Sequence, residues 1–387
     1  MPALPPRPAP RDRPDALVIL GSTVTGLAMV RDAHRLGLAP IVVDRRADIA
    51  SRSRHARTRI LAADATDAAV LDTLLMLASA DSAWLIATSD AWLEFVAGHR
   101  AALDSAFGRI LHPQNTALET CTQKAAFSEF CLRNALPIPA RIDPACIERG
   151  DTDLPWPLLI RPAASFGHRA AALPKAAEVA NRSEAVELLG RFAAAGVPVE
   201  INESLLGRPL VQYSVGAARA GKALTSYVAI KRRPLPRVCA VGSYVQLSPQ
   251  AQVEALARKA LELLDYQGIA EVEILRDEDS GACYLIEINA RPWVQYPLGP
   301  ATGHPLLGFM LDPSSAGRGQ AVTTDAAWIN LTQDAFFCFS RSVGHVRRGE
   351  LSLREWLRSL ARVRSCAYFD WADPKPAWFA LRAFLGR

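Results

Sequence analysis

The chain has 387 residues and is 50% hydrophobic, which is more apolar material than one ordinary domain core needs, so we expect several packed units. Its formal charge of +5 is small for this length and its charged residues are interspersed, which argues against a basic groove for nucleic acid. A local site for a small anion such as a nucleotide is compatible with that charge. The seven cysteines are scattered singly, which argues against a disulfide framework or a zinc–thiolate site.

Residues 1–15 contain six prolines and no apolar core of the kind that a signal peptide needs, so we expect a disordered leader. No window approaches the ~18 consecutive apolar residues of a membrane-spanning helix. We therefore expect a cytoplasmic protein without a membrane span. The sequence does not indicate an oligomeric state, and a homo-oligomer is compatible with it.

Residues 16–112 have the pattern of a parallel α/β unit, in which short apolar strands alternate with helices. The strands are predicted at 16–20, 41–44 and 82–87, and the helices at 27–36 and 66–79. A glycine-containing turn follows the first strand, but Gly21 and Gly26 lack the spacing of a dinucleotide fingerprint or a phosphate loop. Asp44, which ends the second strand, is either a ribose-binding carboxylate or a strand-end turn residue.

The pattern changes at about residue 113, and we expect an α+β unit over residues 113–310, with a smaller lobe at 113–195 and a metal-binding lobe at 196–310. A helix over 115–133 carries Lys124. Further strands of an antiparallel-looking sheet are predicted at 157–162, 197–203, 210–215, 223–230, 271–275 and 284–289, with a helix at 249–265. Residues 311–387 form a helical C-terminal extension, in which Ser352 and Glu355 have the spacing of a capping box.

The most informative motif is Glu287-Ile288-Asn289-Ala290-Arg291, which has Glu273 fourteen residues upstream. A strand places Glu287, Asn289 and Arg291 on one face. Two carboxylates, an amide oxygen and a guanidinium are what Mg²⁺ and a polyphosphate require, because Mg²⁺ prefers a few hard oxygen ligands and completes its shell with phosphate and water. The alternative for Glu287 alone is a strand-end carboxylate paired with Arg291.

Upstream residues supply further contacts for a nucleotide. Cations at strand ends can hold phosphates, and a small-residue loop at 163–167 can fold its backbone N–H groups over them. The candidates are Lys124, Arg161, Ser165, Gly167, Glu203 and Lys231-Arg232-Arg233. Taken alone, Lys124 is equally compatible with a solvated helix residue, and Arg232-Arg233 with a solvated turn.

Two motifs resemble those of the ATP-grasp superfamily, over roughly residues 16–310. They are Gly268-Ile269-Ala270-Glu271-Val272-Glu273 and Tyr284-Leu285-Ile286-Glu287-Ile288-Asn289-Ala290-Arg291-Pro292-Trp293. More narrowly, the chain is similar to the carboxylate–amine ligases related to D-aspartate ligase and to carbamoyl-phosphate synthase large-subunit domains. The resemblance implies a parallel α/β pre-ATP-grasp domain, then an ATP-grasp fold, then the helical extension.

The resemblance also implies roles for single residues. Glu273, Glu287 and Asn289 would bind Mg²⁺, with Mn²⁺ as the alternative ion. Lys124 and Arg161 would contact the phosphates of ATP, and Glu203 with the backbone of Ser204 and Leu205 would lie at the adenine. Arg291 would face the γ-phosphate and an acyl phosphate, and Lys231 would lie near the phosphates.

The implied reaction is ATP-dependent joining of a small carboxylate to an amine, with ADP and phosphate released. Two residues depart from the family pattern: Arg161 stands where relatives usually have Lys, and Pro209 stands where many have a ribose-binding Glu, for which Gln212 could substitute. These departures motivate a second hypothesis, a nucleotide-binding scaffold without turnover. A dehydrogenase built on residues 16–112 is a third, for which no hydride-transfer site is visible downstream.

Overall fold

The computed structural model describes residues 13–80, 82–163, 173–235, 241–315, 325–340 and 344–386. The described residues form three β-sheets with helices packed on them. A parallel sheet lies near the N-terminus, a small antiparallel sheet follows, and a large mostly antiparallel sheet comes last. The predicted combination of α/β and α+β architecture is confirmed.

The N-terminal unit is a five-stranded parallel sheet in the order β3-β2-β1-β4-β5. Its central strand β1 is fully buried, which explains its continuous apolar sequence. The elements are β1 (Ala16–Leu20), α1 (Val24–Arg35), β2 (Ala39–Asp44), β3 (Arg57–Ile60), α2 (Asp67–Ala80), β4 (Ala83–Ala87), α3 (Asp90–Gly98), α4 (Arg100–Ala106) and β5 (Arg109–Ile110). The predicted strands and helices of this unit are all present.

The glycine turn after β1 is built for close packing. Gly21 has φ +114°, and a Cβ there would lie 2.4 Å from Thr88 Oγ1. A Cβ on Gly26 would lie 2.1 Å from the carbonyl oxygen of Gly21. The Asp44 carboxylate accepts hydrogen bonds from the backbone N–H groups of Ser22 (2.6 Å) and Arg45 (2.7 Å), so it closes this turn as a structural residue.

The small sheet has the order β7-β6-β8 and is antiparallel. The elements of this region are α5 (Asn115–Thr122), α6 (Lys124–Arg133), α7 (Pro144–Arg149), β6 (Leu158–Pro162), β7 (Ala177–Val179), α8 (Arg182–Ala194) and β8 (Val199–Glu203). The prediction of one helix over 115–133 is wrong at Gln123, whose extended backbone separates α5 from α6. The expected lobe boundary at residue 195 falls between α8 and β8, and β8 pairs with β6.

The large sheet has seven strands in the order β13-β12-β9-β10-β11-β14-β15. Helix α9 packs on it through Val253, Ala257, Ala260 and Leu261, which repeat at helical spacing and are all buried. The sheet and its helix comprise β9 (Leu210–Ala220), β10 (Ala223–Leu235), β11 (Val241–Leu247), α9 (Ala251–Leu263), β12 (Gly268–Asp277) and β13 (Cys283–Asn289), followed by β14 (Ala327–Ile329) and β15 (Val363–Cys366).

The C-terminal extension is helical, as predicted, and it also supplies β14 and β15 to the edge of the large sheet. Its helices and the two short helices before it are α10 (Leu298–Ala301), α11 (Leu306–Leu311), α12 (Leu331–Phe339), α13 (Leu353–Leu360) and α14 (Lys375–Leu385). The predicted capping box of Ser352 and Glu355 begins α13. In the part of the chain that the structure describes, no helix is long and apolar enough to span a membrane.

Two buried ion pairs fasten this extension to the rest of the molecule. Arg233 on β10 contacts Asp334 on α12 at 2.6 Å, so Arg233 does not lie in a solvated turn. The fully buried Asp373 accepts hydrogen bonds from Arg31 Nε on α1 (3.1 Å), Ser53 Oγ (2.8 Å) and the backbone N–H of Arg54 (3.1 Å). Arg31 Nη2 also donates to the backbone carbonyls of Tyr368 (2.8 Å) and Asp373 (2.9 Å), so the Asp373 carboxylate is the charge partner within a wider set of contacts between α1 and the extension.

The change Asp373→Ala should lower the free energy of unfolding by ~3–5 kcal/mol, because it leaves the buried Arg31 guanidinium without its counterion. Denaturant unfolding measures this loss. The control is Arg35→Ala, which breaks the exposed pair with Asp370 in the same interface and should cost less than about 1 kcal/mol. Equal losses for the two variants would contradict the assigned role of Asp373.

Candidate functional site

The candidate metal ligands are brought together by the pairing of β12 with β13. In this register Glu273 lies opposite Glu287, and Glu271 lies opposite Asn289. Opposed residues of an antiparallel pair project from the same face of the sheet. The side-chain amide of Asn289 contacts both neighbouring carboxylates, at 3.0 Å from Glu271 Oε2 and 3.3 Å from Glu287 Oε1.

Lys231 supplies a positive charge to this cluster from β10. Its ammonium lies 2.7 Å from Glu273 Oε1 and 3.7 Å from Glu271 Oε1. The side chain therefore reaches across β9, which lies between β10 and β12 in the sheet. The β9 residue opposite Glu273 is the small Ser214, whose hydroxyl donates to Glu271 at 2.5 Å. Burial lowers the pKa of Lys231, but Glu273 and Glu271 raise it by more, so it is above its ordinary value and the ammonium stays charged.

The carboxylates of the cluster are held at a cost in electrostatic free energy. Burial, opposed by Lys231 and reinforced by Glu273, raises the pKa of Glu271 from 4.5 to about 7. Burial and then the charge of Glu273 also raise the pKa of Glu287. Gln212, considered above as a ribose ligand, donates instead to Glu273 Oε2 at 2.8 Å. A cation added to this cluster would relieve the repulsion between its carboxylates.

A cavity of about 350 Å³ separates this cluster from the small sheet. Glu273 and Glu287 line it from β12 and β13 of the large sheet, and the predicted cations Lys124 and Arg161 line it from α6 and β6, so we call these two sides its walls. The lining residues are Lys124, Phe127, Ser128, Ile138, Pro139, Leu159, Arg161, Lys175, Ala176, Asn202, Glu203, Leu205, Leu206, Gln212, Glu273, Ile274, Leu275, Leu285, Ile286 and Glu287. The mixture of apolar side chains with a few charges is typical of a cofactor site.

The cationic wall is positioned by α6 and β6. The backbone N–H of Lys124 donates to the carbonyl of Ala163 at 2.7 Å, just beyond β6, so the start of α6 is fixed beside the end of that strand. Burial, then Arg161, lowers the pKa of Lys124, while Glu287 and Glu200 oppose the shift. Among the described residues, the Lys124 ammonium has no ion-pair partner within 4.0 Å, whereas Arg161 contacts Glu200 at 3.1 Å.

The residues predicted to lie at the adenine are divided between the cavity and its surroundings. Glu203 and Leu205 line the cavity. Glu203 accepts hydrogen bonds from the backbone N–H of Ala140 (3.0 Å) and from Arg208 (2.9 Å). Ser204 is absent from the described lining residues, and its N–H donates to the carbonyl of Pro157 at 2.9 Å. Ser165 and Gly167 lie outside the described residues.

Arg291 is held by a residue of the N-terminal unit. Its guanidinium contacts both carboxylate oxygens of Asp90, at 2.5 and 3.1 Å, and Asp90 begins α3 directly after the cap Ser89. Burial alone would lower the pKa of Arg291, but Asp90 raises it, and the net shift is upward. Asp90 was not predicted as a site residue. Its place after a parallel strand was a usable signal, because ligand sites gather at the carboxyl ends of such strands.

The residues present fit a bound Mg²⁺. Within the described residues, no group of three or more His, Cys, Asp and Glu side chains could hold a metal ion on its own. Mg²⁺ binds through one or two carboxylates and takes its other ligands from phosphate and water. The opposed carboxylates of Glu273 and Glu287, with the amide of Asn289 beside them, match that requirement.

Solved structures with related folds cover most of this chain. The biotin carboxylase domain of 2-oxoglutarate carboxylase from Hydrogenobacter thermophilus, solved with MgADP, ADP and bicarbonate, aligns at TM-score 0.60 and 15% identity, over 80% of this chain and 71% of that one. An L-amino acid ligase from Bacillus licheniformis aligns at TM-score 0.60 and 18% identity, over 81% of this chain and 79% of that one. N5-carboxyaminoimidazole synthase from Aspergillus clavatus, solved with ADP and 5-aminoimidazole ribonucleotide, aligns at TM-score 0.62 and 18% identity, over 84% of this chain and 87% of that one.

The chain has the ATP-grasp fold. No protein-family model matches the sequence, and a search of curated proteins gives no match either. The cavity between the small and large sheets is lined by the predicted cations Lys124 and Arg161 and by the predicted metal-binding carboxylates Glu273 and Glu287.

The raised pKa of Glu271 predicts a pH-dependent stability. The folded state favours the protonated carboxyl of Glu271. Its stabilising contribution to the free energy of unfolding is therefore fully present below pH 4.5 and is lost as the pH rises through about 7. The free energy of unfolding of the wild type, relative to Glu271→Gln, should therefore fall by about 1–3 kcal/mol between about pH 5 and 8. Chemical denaturation across this range measures the difference. A difference that stays constant or rises with pH would contradict the assignment.

Proposed function

We propose that the chain is an ATP-dependent carboxylate–amine ligase. The observation that carries this proposal is the cavity itself, which has Lys124 and Arg161 on one wall and the opposed carboxylates Glu273 and Glu287 on the other. A triphosphate with Mg²⁺ is the ligand that such a pair of walls complements, because the cations pair with phosphate oxygens and the carboxylates pair with the metal.

The structural relatives support the choice of reaction. The relatives described above include an L-amino acid ligase and an enzyme solved with ADP beside an amine-bearing ribonucleotide. The carboxylase domain was solved with a magnesium salt of ADP, which favours Mg²⁺ over the alternative ion Mn²⁺. We carry to this chain the binding of an adenine nucleotide with Mg²⁺, and we propose a small carboxylate as its substrate.

Each side chain has a role in the proposed reaction. Lys124 and Arg161 bind phosphate oxygens, and Glu203 and Leu205 lie towards the adenine. Glu273, Glu287 and Asn289 hold Mg²⁺, which when bound neutralises charge on the phosphates. Lys231 keeps Glu273 in place through its 2.7 Å contact and contributes positive charge. Arg291 binds the substrate carboxylate and then the acyl phosphate made from it.

The proposed reaction has two steps and needs no side-chain nucleophile. A carboxylate oxygen attacks the γ-phosphorus, the bond to the bridging oxygen breaks, and ADP leaves. An amine then attacks the acyl carbon, phosphate leaves with the C–O bonding electrons, and the amine loses a proton. Positioning and electrostatic stabilisation supply the rate enhancement, as in phosphoryl transfer generally. The substrates are small molecules, and we place the reaction in the cytoplasm.

The test is ADP release from the full chain with Mg²⁺, ATP and pooled carboxylates and amines. The proposal predicts that ADP release needs a carboxylate, and that hydroxylamine traps the acyl phosphate as a hydroxamate.

The second candidate, a nucleotide-binding scaffold, is favoured by one observation: Arg161, Lys231 and Arg291 all have carboxylate partners. Normal ATP binding with no ADP release from any pool would favour that scaffold over the ligase.

The change Arg291→Gln should lower the rate of ADP release about 100-fold, because it removes a guanidinium aimed at charge that develops during the reaction. Its dissociation constant for ATP should change less than about threefold. Steady-state kinetics with calorimetry separate these two effects. Arg232→Gln is the matched control, since Arg232 is exposed on β10 beside Lys231 and should be dispensable. A large loss of ATP binding in Arg291→Gln would move Arg291 from the acyl group to the nucleotide.

A further inference from the structure

Arg161 is one member of a three-residue unit on the cationic wall. Arg161 on β6 and Glu200 on β8 are directly paired residues of the small sheet, and Arg161 Nη2 lies 3.1 Å from Glu200 Oε2. The hydroxyl of Ser128 on α6 donates to the other carboxylate oxygen of Glu200. Glu200 is 3% exposed, so both of its oxygens are satisfied by protein groups within a buried site.

Ser128 also connects this unit to Lys124. The two residues lie four apart on α6, one helical turn, and both line the cavity. The start of α6 is in turn bound to the backbone just beyond β6 through Lys124 N–H and Ala163. The helix and the two strands therefore fix Glu200 from both sides.

Arginine suits this arrangement and lysine does not. A guanidinium carries five N–H donors in a rigid plane, so one edge can bind a carboxylate while another edge binds a second anion. Glu200 binds Nη2, on the edge that also carries the buried Nε, which has no hydrogen-bond partner among the described residues, so the Nη1 side remains for a second anion. The ammonium of a lysine would have no such fixed second edge.

We propose that Glu200, itself fixed by Ser128, is a positioning residue that holds one edge of Arg161 and turns the other edge towards the phosphates of the nucleotide. This inference rests on the proposed nucleotide site. It gives a physical reason for an arginine at position 161, because the paired Glu200 can orient a guanidinium through one of its edges.

The test separates position from charge by using Glu200→Asp, which keeps the carboxylate but shortens the side chain by one methylene. Calorimetry should show ATP affinity about tenfold lower than in the wild type, because a misplaced guanidinium loses charge-assisted hydrogen bonds. Adenosine, followed by ligand-observed NMR, should bind both proteins within about twofold, since it has no phosphate. Ser128→Ala changes no charge and should lower ATP affinity about threefold.

The chain offers a matched control outside the cavity. Ser226 donates to Glu254 at 2.6 Å and accepts from Arg258 at 3.2 Å, so these residues form a Ser–Glu–Arg unit between β10 and α9 in which the serine is the central member. Glu254→Asp shortens an equivalent carboxylate and should leave both ligand affinities unchanged.

Three results would overturn the inference while leaving the proposed function standing: ATP binding by Glu200→Asp as tight as by the wild type, tighter binding, or an equal loss for ATP and adenosine. An equal loss would mean that Glu200 only stabilises the small sheet. Failure of the wild type to bind ATP is a different result and would remove the proposed function itself. If Glu200→Asp does not fold, Ser128→Ala decides by the same comparison of ATP with adenosine.

Discussion

The site depends on the register between β12 and β13, which places Glu273 directly opposite Glu287 and Glu271 opposite Asn289. Three carboxylates are thereby gathered on one face, with Lys231 as the ammonium that contacts two of them. The cluster holds three carboxylates and one ammonium, and burial, reinforced by the charge of Glu273, raises the pKa values of Glu271 and Glu287. Like charges at a mostly buried position are retained where a function uses them, and a bound divalent cation would complete the charge balance.

The other two units of the fold serve this face. The small sheet and the adjacent helix α6 bring Arg161 and Lys124, respectively, to the opposite wall of the cavity. The N-terminal unit fixes the segment after β13: the buried His112 accepts from the N–H of Ala87 at 2.6 Å and lies 2.9 Å from the carbonyl of Ala290. Burial lowers the pKa of His112 to about 4, so this bridge is neutral. Next to it, Asp90 holds Arg291, so residues about 200 positions away in sequence orient the candidate catalytic guanidinium.

Local patterns predicted much of the fold. Continuous apolar runs revealed β1 and β4, and the motif around Glu287 revealed both β13 and the carboxylate cluster. The break at Gln123 was not predicted, because a hydrogen bond from Lys124 to Ala163, across thirty-nine residues, replaces the continuous helix that local propensity favours. The partners Asp90 and Glu200 were also missed. Each belongs to an ion pair between distant segments, and such pairs follow from sheet topology, which short-range spacing does not encode.

The proposed roles of the single residues all require nucleotide and metal to bind together in the cavity. Calorimetric titration of ATP into the full chain, with Mg²⁺ and then with Mg²⁺ removed by a chelator, tests that requirement most directly. A nucleotide site completed by Mg²⁺ should bind one ATP per chain, at least about tenfold tighter with Mg²⁺ than without it, and the double variant Glu273→Gln/Glu287→Gln should lose that difference. ATP binding that is equally tight without Mg²⁺, or a metal dependence that survives in the double variant, would contradict the account.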